Sequence, residues 1–402
     1  MQKINRYTSL LFAIAGGLAV ANVYYAQPLL NRMGNDLDIP SRSLGIIITV
    51  TQTGYALGLL LLLPLGDLFN RRKLIAVQLL LAAAALITVG WAPAKLLFLG
   101  GIATVGLLAV VTQTLVAYAA TLAAPEERGR VVGLVTSGVV LGILLARTVS
   151  GALADIAGWR AVYFLSATLM LLTAGALYRA LPVNDPQKAS ATYPQLLVSV
   201  FRLFLEEPLL RVRAIIAFFI FAAFSVLWSS LVLPLSAPPY SFSSSVTGMF
   251  GLIGVAGALG AARAGRLADR GHGQRTTGAA LALLLVSWLP LGFAPHSLTA
   301  LIAGIILLDL AIQAVHVTNQ SMLYNIRPES RNRIVAGYML FYSIGSGFGS
   351  IAATTVYAYA GWTAVCLLGG TLSATGLLFW ATTLPRKIHA QKSNTFTLQH
   401  QK

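Results

Sequence analysis

The sequence predicts an all-α membrane protein with twelve transmembrane helices arranged as two six-helix, pseudo-symmetric bundles. Three observations carry that prediction. The composition is 57% hydrophobic and only 10% charged over 402 residues, with a mean hydropathy of +0.77, whereas a soluble domain carries about 25% charged residues. Charge-free runs long enough to cross a bilayer recur along the whole chain. Three short landmarks appear twice, in the same order.

The spans come first. A crossing helix needs about 20 apolar residues. Residues 7–31, 43–66, 74–94, 96–125 and 161–178 carry no charge, and 131–154 is interrupted only by Arg147. Residues 214–262 hold two spans parted at "SAPPYS" (236–241), and 276–294 hold one. Residues 297–326 hold one span interrupted only by Asp309, and 334–385 hold two parted near "AGW" (360–362). No stretch shows the period-two alternation of a lipid-facing strand. The first run exceeds the apolar core of about 7–15 residues in a signal peptide, so it reads as an uncleaved span.

Basic residues set the orientation. With the N-terminus in the cytoplasm, twenty-three of the 28 Lys and Arg fall in inside loops and tails, and only Arg32, Arg42, Lys95 and Arg160 fall outside. This positive-inside bias predicts a multi-pass inner (plasma) membrane protein with both termini cytoplasmic. It also excludes nucleic acid as a partner, because the net charge of +16 reflects topology. The lone Cys366 reads as a small buried hydrophobe.

The repeats divide the chain. "PEERGRVVG" (125–133) is echoed by "PESRNRIVAG" (328–337), and "AGWRAV" (157–162) by "AGWTAV" (360–365), both 203 residues apart. "GDLFNRRKLI" (66–75) has its counterpart in "GRLADRGHGQR" (265–275), 199 residues after Gly66. Six spans per half is an even number, so both halves start from the same side as parallel repeats. The expected division is an N-terminal bundle over 1–181, a cytoplasmic linker over 182–210, a C-terminal bundle over 211–385 and a cytoplasmic tail over 386–402. Within the linker, "QLLVSVFRLFLEE" suits either an amphipathic helix on the inner membrane surface or a plain tether.

"GRLADRGHGQR" resembles motif A of the major facilitator superfamily, Gly-x-Leu-Ala-Asp-Arg followed by Gly and basic residues, which joins the second and third helices of a half. "GDLFNRRKLI" resembles the same element, with Asn70 where the motif has aspartate and Asp67 supplying the acid one turn earlier. The duplicated "PExRxR" and "AGW" segments fit the same superfamily. "ANVYYAQPLL" (21–30) is similar to a bacterial branch near the drug/proton antiporters. Two features differ from that branch: 138–151 has glycines but no proline, and 96–125 has no arginine. The resemblance implies alternating access around a mid-membrane cavity lined by the first, fourth, seventh and tenth helices.

The charged loops are candidate gates. An acid at one helix end and bases across from it can pair in one state and part in another; such pairs contribute little when wet and more when shielded. Asp67, Arg71 and Arg72, with Arg266, Asp269 and Arg270, are therefore the candidate cytoplasmic gate. Their other role is to anchor topology. Gly248, Gly251, Gly254, Gly257 and Gly260 recur every third residue, and Gly54/Gly58, Gly138/Gly142 and Gly345/Gly349 are small-xxx-small pairs, which let helices approach closely in lipid and suit a moving seam.

Ionisable groups within spans are costly and usually functional. Asp309, Gln313, His316 and Gln320 are spaced four, three and four residues apart, on one helical face. Removal from water penalises a carboxylate anion, and an unperturbed imidazole titrates near neutral pH. Asp309 and His316 are thus the candidate proton-coupling groups. Arg147 can hold an anionic substrate or pair with Asp309. Asn22, Tyr25 and Gln27 on the first span, Gln113 and Tyr118 on the fourth, Trp228 on the seventh, and Gln313 and Gln320 complete the candidate cavity, with Tyr24, Phe221 and Phe224 nearby.

No phosphate loop, HExxH, GxSxG or cysteine–histidine metal cluster is present in the sequence, so no enzyme activity, cofactor or metal is expected. The expected function is secondary active transport by a monomer, with a small molecule, protons and the bilayer as partners. Proton-coupled export of a small organic compound is the first reading. Proton-coupled uptake or facilitated diffusion of a small metabolite, including an anion held by Arg147, is the alternative.

Overall fold

The computed structural model describes residues 6–124, 127–182, 192–254, 264, 267–324 and 331–384, with only the backbone described at 128–129, 268–269, 324 and 331–332. Every element among the described residues is helical. That is the expected solution in lipid, where backbone amides must be satisfied within the segment itself.

The first six spans are α1 (Arg6–Asp36), α2 (Ser41–Asp67), α3 (Arg71–Trp91), α4 (Lys95–Leu122), α5 (Arg130–Ala157) and α6 (Trp159–Ala180). The linker carries α7 (Tyr193–Glu206). Then follow α8 (Pro208–Ser236), α9 (Ser244–Gly254), α10 (Arg270–Gly292) and α11 (Leu298–Leu323). The helix Arg331–Thr382 turns at Gly361, which parts it into α12 (331–360) and α13 (362–382). Among the described residues, ten helices are long and apolar enough to cross a membrane before that division, and Ser244–Gly254 is a shorter apolar one. The fold is therefore consistent with twelve spans in two six-helix bundles. Large apolar side chains such as Leu97, Leu172, Leu289 and Leu378 are exposed around the outside, where lipid would cover them.

Local chemistry explains the corners. Asn70, where the motif has aspartate, caps α3: its side chain accepts from the Lys73 amide at 3.2 Å, one of the donors a helix start leaves unpaired. The two "AGW" segments form the same corner twice. Gly158 has φ 82° and Gly361 φ 69°, backbone that is essentially restricted to glycine at their ψ values of 159° and −166°. Each corner tryptophan donates a bond of 2.8 Å, Trp159 to Asp36 Oδ2 and Trp362 to the Leu291 carbonyl.

The linker forms a helix rather than a plain tether over 193–206. Thr192 and Gln195 make a capping box. Leu196, Val200 and Leu203 are buried, while Val198, Phe201 and Leu205 are exposed. It touches both bundles: the Tyr193 hydroxyl donates to the Leu61 carbonyl at 2.9 Å, and Phe204 stacks on Phe341 at 5.0 Å.

Glycine packing differs from expectation. Gly54 and Gly58 lie against Ala103 and Leu107, Gly138 and Gly142 against Ala13 and Gly17, and Gly345 and Gly349 against Phe218 and Ala222. All three pairs hold helices of the same bundle together. The seam between bundles uses other positions: Gly45 against Ser350, Gly151 against Ser244, and Gly248 and Gly251 against Arg147. Gly257 and Gly260 lie outside the described residues.

The hydrogen bonds described between the bundles run from mid-height to the end opposite Asp67. They join Asn31 to Ser236, the Gly45 amide to Thr354, Thr49 to the Gly347 carbonyl, Thr148 to the Gly248 carbonyl, and the Ser245 amide to Asp155.

Candidate transport site

Directly beneath that seam lie the two charges the sequence places within spans. Arg147 on α5 and Asp309 on α11 are buried, at 3% and 6% exposure. They form no direct ion pair; the described ion pairs are Arg32–Asp155, Arg71–Asp67 and Arg160–Asp36. Trp228 on α8 links them instead. Its ring lies 4.1 Å from the Arg147 guanidinium carbon, and its Nε1 donates to Asp309 Oδ1 at 3.2 Å. A tryptophan serves here because one face can hold a cation while its edge donates to an anion.

Arg147 is held further by Gln27, whose Oε1 accepts from Nε at 2.6 Å, and by the Ile143 carbonyl at 3.4 Å from Nη1. Tyr24 and Phe224 put their rings 5.1 and 5.5 Å from the guanidinium. The Nη2 atom is buried and has no partner among the described residues. Gly251 and Gly254 on α9 back the cluster: a Cβ at 251 would stand 3.0 Å from Arg147 Cβ, and one at 254 would stand 2.8 Å from Asp309 Oδ2.

A tyrosine pair crosses between the bundles beside this cluster. The Tyr24 and Tyr342 hydroxyls are 2.5 Å apart. Phe221 packs on the Tyr342 ring at 4.0 Å, and Gln113 donates to the Tyr55 hydroxyl at 3.2 Å. Farther along α11, Gln313, His316 and Gln320 are half-buried, while Asp309 on the same predicted face is buried. His316 does not join Asp309; its Nδ1 meets the Tyr338 hydroxyl at 2.9 Å and its ring packs on Phe221.

Three other candidates point elsewhere. Asn22 accepts from Ser166 on α6 at 2.6 Å and donates to Met170. Tyr25 lines a small cavity between α1, α5 and α6. Tyr118 lies under Arg71, 5.6 Å from its guanidinium, and packs edge-on against Phe12. These side chains serve packing within the first bundle rather than the space between bundles.

At the loop end, Asp67 and Arg71 pair at 3.5 Å, one helical turn apart. Arg71 also donates to the Gly66 carbonyl and to Thr121 on α4, and Arg72 stacks over Tyr178 on α6 at 4.2 Å. These contacts tie the α2–α3 corner to its own bundle. Arg270 is exposed. Arg266 lies outside the described residues, as does the side chain of Asp269.

Sequence reasoning missed Tyr338 and Tyr342, four residues apart in an apolar span. It also placed Arg213 with the inside loops. Arg213 is fully buried within α8, where its Nη1 donates to Thr277 and Asn319.

A paired bundle with a sealed seam and a buried charged cluster near mid-height defines a multi-pass membrane transporter. The sequence profile of the Major Facilitator Superfamily matches residues 12–289 and 258–400, and the chain belongs to that family. It is 48% identical over 370 residues to the uncharacterised transporter YgaY of Escherichia coli O157:H7, covering 92% of this chain and 94% of that protein. It is 31% identical over 381 residues to the transporter SCO4007 of Streptomyces coelicolor, covering 94% and 86%. Among solved structures, an inward-facing bacterial homologue of the human lysosomal transporter Spinster superposes with a TM-score of 0.71 at 16% identity, covering 94% of each chain. The human organic anion transporter MFSD10 superposes at 0.67 with 19% identity, covering 94% of this chain and 100% of that one. These relatives place the chain among transporters rather than enzymes.

Proposed function

We infer that the chain is a proton-coupled secondary transporter of a small organic compound that works by alternating access, with Asp309 as the group that takes and releases the proton. The observation that carries this reading is the Trp228 link between Asp309 and Arg147: a change of charge on the carboxyl is felt by the side chains that would hold substrate. His316 is half-buried on the same predicted face of that helix, which supports a secondary role in passing protons. The two bundles, joined by the 182–210 linker, rock as bodies. The loop bias toward Lys and Arg supports an inner-membrane protein with both termini in the cytoplasm. One chain supplies the whole cluster, which supports action as a monomer.

Two directions fit a proton site at Asp309. Export in exchange for protons is the reading that the antiporter-like segment favours. Uptake together with protons is the reading favoured by the Arg147 Nη2, which has no partner among the described residues. The test uses sealed proteoliposomes with a trapped pH dye and an added small-molecule extract of cells. Proton movement that requires the extract, and that Asp309→Asn abolishes while the protein still inserts, is the expected result. Uptake or release of compounds with no proton movement would reject the coupling.

A further inference from the structure

The Arg147 site is built around a cation whose charge the described residues leave only partly answered. Its Nε and Nη1 are occupied, three aromatic rings flank the guanidinium, and Nη2 is buried with no partner among the described residues. A buried guanidinium N–H left unpaired costs free energy, so a ligand that accepts a hydrogen bond there gains what the free protein lacks. The acceptor that matches a guanidinium edge most strongly is a carboxylate. Around the guanidinium the surroundings are flat and apolar: Trp228, Phe224 and Tyr24 supply rings, while the Gly251 backbone packs on the Arg147 stem.

Asp309 is the competitor for the same cation. The other titratable and charged groups around it and Arg147 are few. On its own helix there is His316, held by Tyr338. From α1 there is Tyr24 and from α12 Tyr342, bonded to each other. From α5 there is Arg147 itself, and α8 offers the uncharged indole of Trp228; from α9 the glycines Gly248, Gly251 and Gly254 lie against the cluster. No second cation shares the cluster among these groups. When Asp309 is ionised, its charge opposes that of Arg147 and repels an incoming anion. When Asp309 carries a proton, the field of Arg147 is unopposed.

We propose that this transporter's substrate is an organic anion, a carboxylate on a flat apolar body, and that it binds Arg147 only when Asp309 has taken up a proton, so that anion and proton load together. This deepens, and rests on, the proton-coupled reading above. It names the substrate class and selects uptake: a proton gradient directed inward carries the anion with it, and both leave when Asp309 ionises on the cytoplasmic side.

The test measures binding to the purified full-length protein in nanodiscs between pH 5.5 and 8. The probes are benzoate, 3-phenylpropionate and indole-3-acetate, each compared with the amine and the carboxamide on the same ring. At least one carboxylate should bind, and its amine and carboxamide should not. Its affinity should fall with rising pH, approaching about tenfold per unit where one proton is linked to one anion. Asp309→Asn, which is neutral at every pH, should keep the carboxylate bound and flatten the pH dependence. Arg147→Gln should remove binding. If Arg147→Gln fails to fold, the contrast between the native protein and Asp309→Asn still decides. Binding of amines as tightly as carboxylates, binding of none of the three carboxylates, or an affinity that does not fall with pH each overturns the proposal. The broader reading fails separately: it fails if the proteoliposomes show no substrate-dependent proton movement, whatever the probes bind.

Discussion

Trp228 is the residue on which the cluster turns, because one side chain meets both charges. Trp228→Phe keeps a ring over Arg147 and removes the donor to Asp309. A hydrogen bond to a charged group contributes about 1.5–3 kcal/mol, so the substitution should shift the pH dependence of transport while leaving the fully protonated rate within a fewfold of native. A transport–pH profile measures this, and an unchanged profile would mean that the indole bond has no part in coupling. Much of this cluster is legible in the sequence. Asp309 and Arg147 stand out because each interrupts a span with a charge, and Gln27 and Trp228 because each is a large polar-tipped residue in an apolar run. Their partners are not legible. Tyr24 and Tyr342 are 318 positions apart, and nothing local encodes that distance. His316 and Asp309 share a predicted face, yet α11 separates them along its length, and Tyr338 takes the histidine. Asn22 sits on the predicted cavity helix but turns to Ser166, because periodicity gives a face and not the neighbour that face meets.

At the scale of elements, the repeated corner is the clearest gain from reading the sequence. "AGW" recurs because α5–α6 and α12–α13 need the same turn, with glycine at a φ of 82° and 69°. Gly158→Ala and Gly361→Ala should each destabilise by about 1–3 kcal/mol. Nothing within 4 Å opposes the added carbon at either site, so the cost is conformational. Thermal unfolding in detergent would show it, and a loss at only one corner would count against their equivalence. The linker is where composition stops short. Its apolar spacing suits a helix, but its bonds to Leu61 and Phe341 depend on which helix ends flank it. The small-residue pairs show the same limit. Spacing marks them as contacts, while only the packing shows that they bind helices within a bundle. Arg213 was hidden for a related reason: a basic residue six positions into α8 reads as loop charge until the helix start at Pro208 is known.

At the scale of the whole molecule, the described seam runs over one half of its height. Asn31 and Ser236 face each other there at 2.5 Å from opposite bundles. Asn31→Cys with Ser236→Cys should cross-link on oxidation, halt transport and recover on reduction, with the buried Cys366 as background. Proteoliposome uptake before and after reductant measures it, and full transport in the cross-linked state would show that this end need not part. The seam's placement also sets a mechanical ratio. With the fulcrum at Gly45 and Gly151 near one face, the lever below spans most of the bilayer core of about 30 Å. A tilt of about 10° on such a lever moves its far end by about 5 Å, roughly the pitch of one helical turn. The Arg147 cluster, between the fulcrum and that far end, moves less, while the far end clears a passage wide enough for a planar solute.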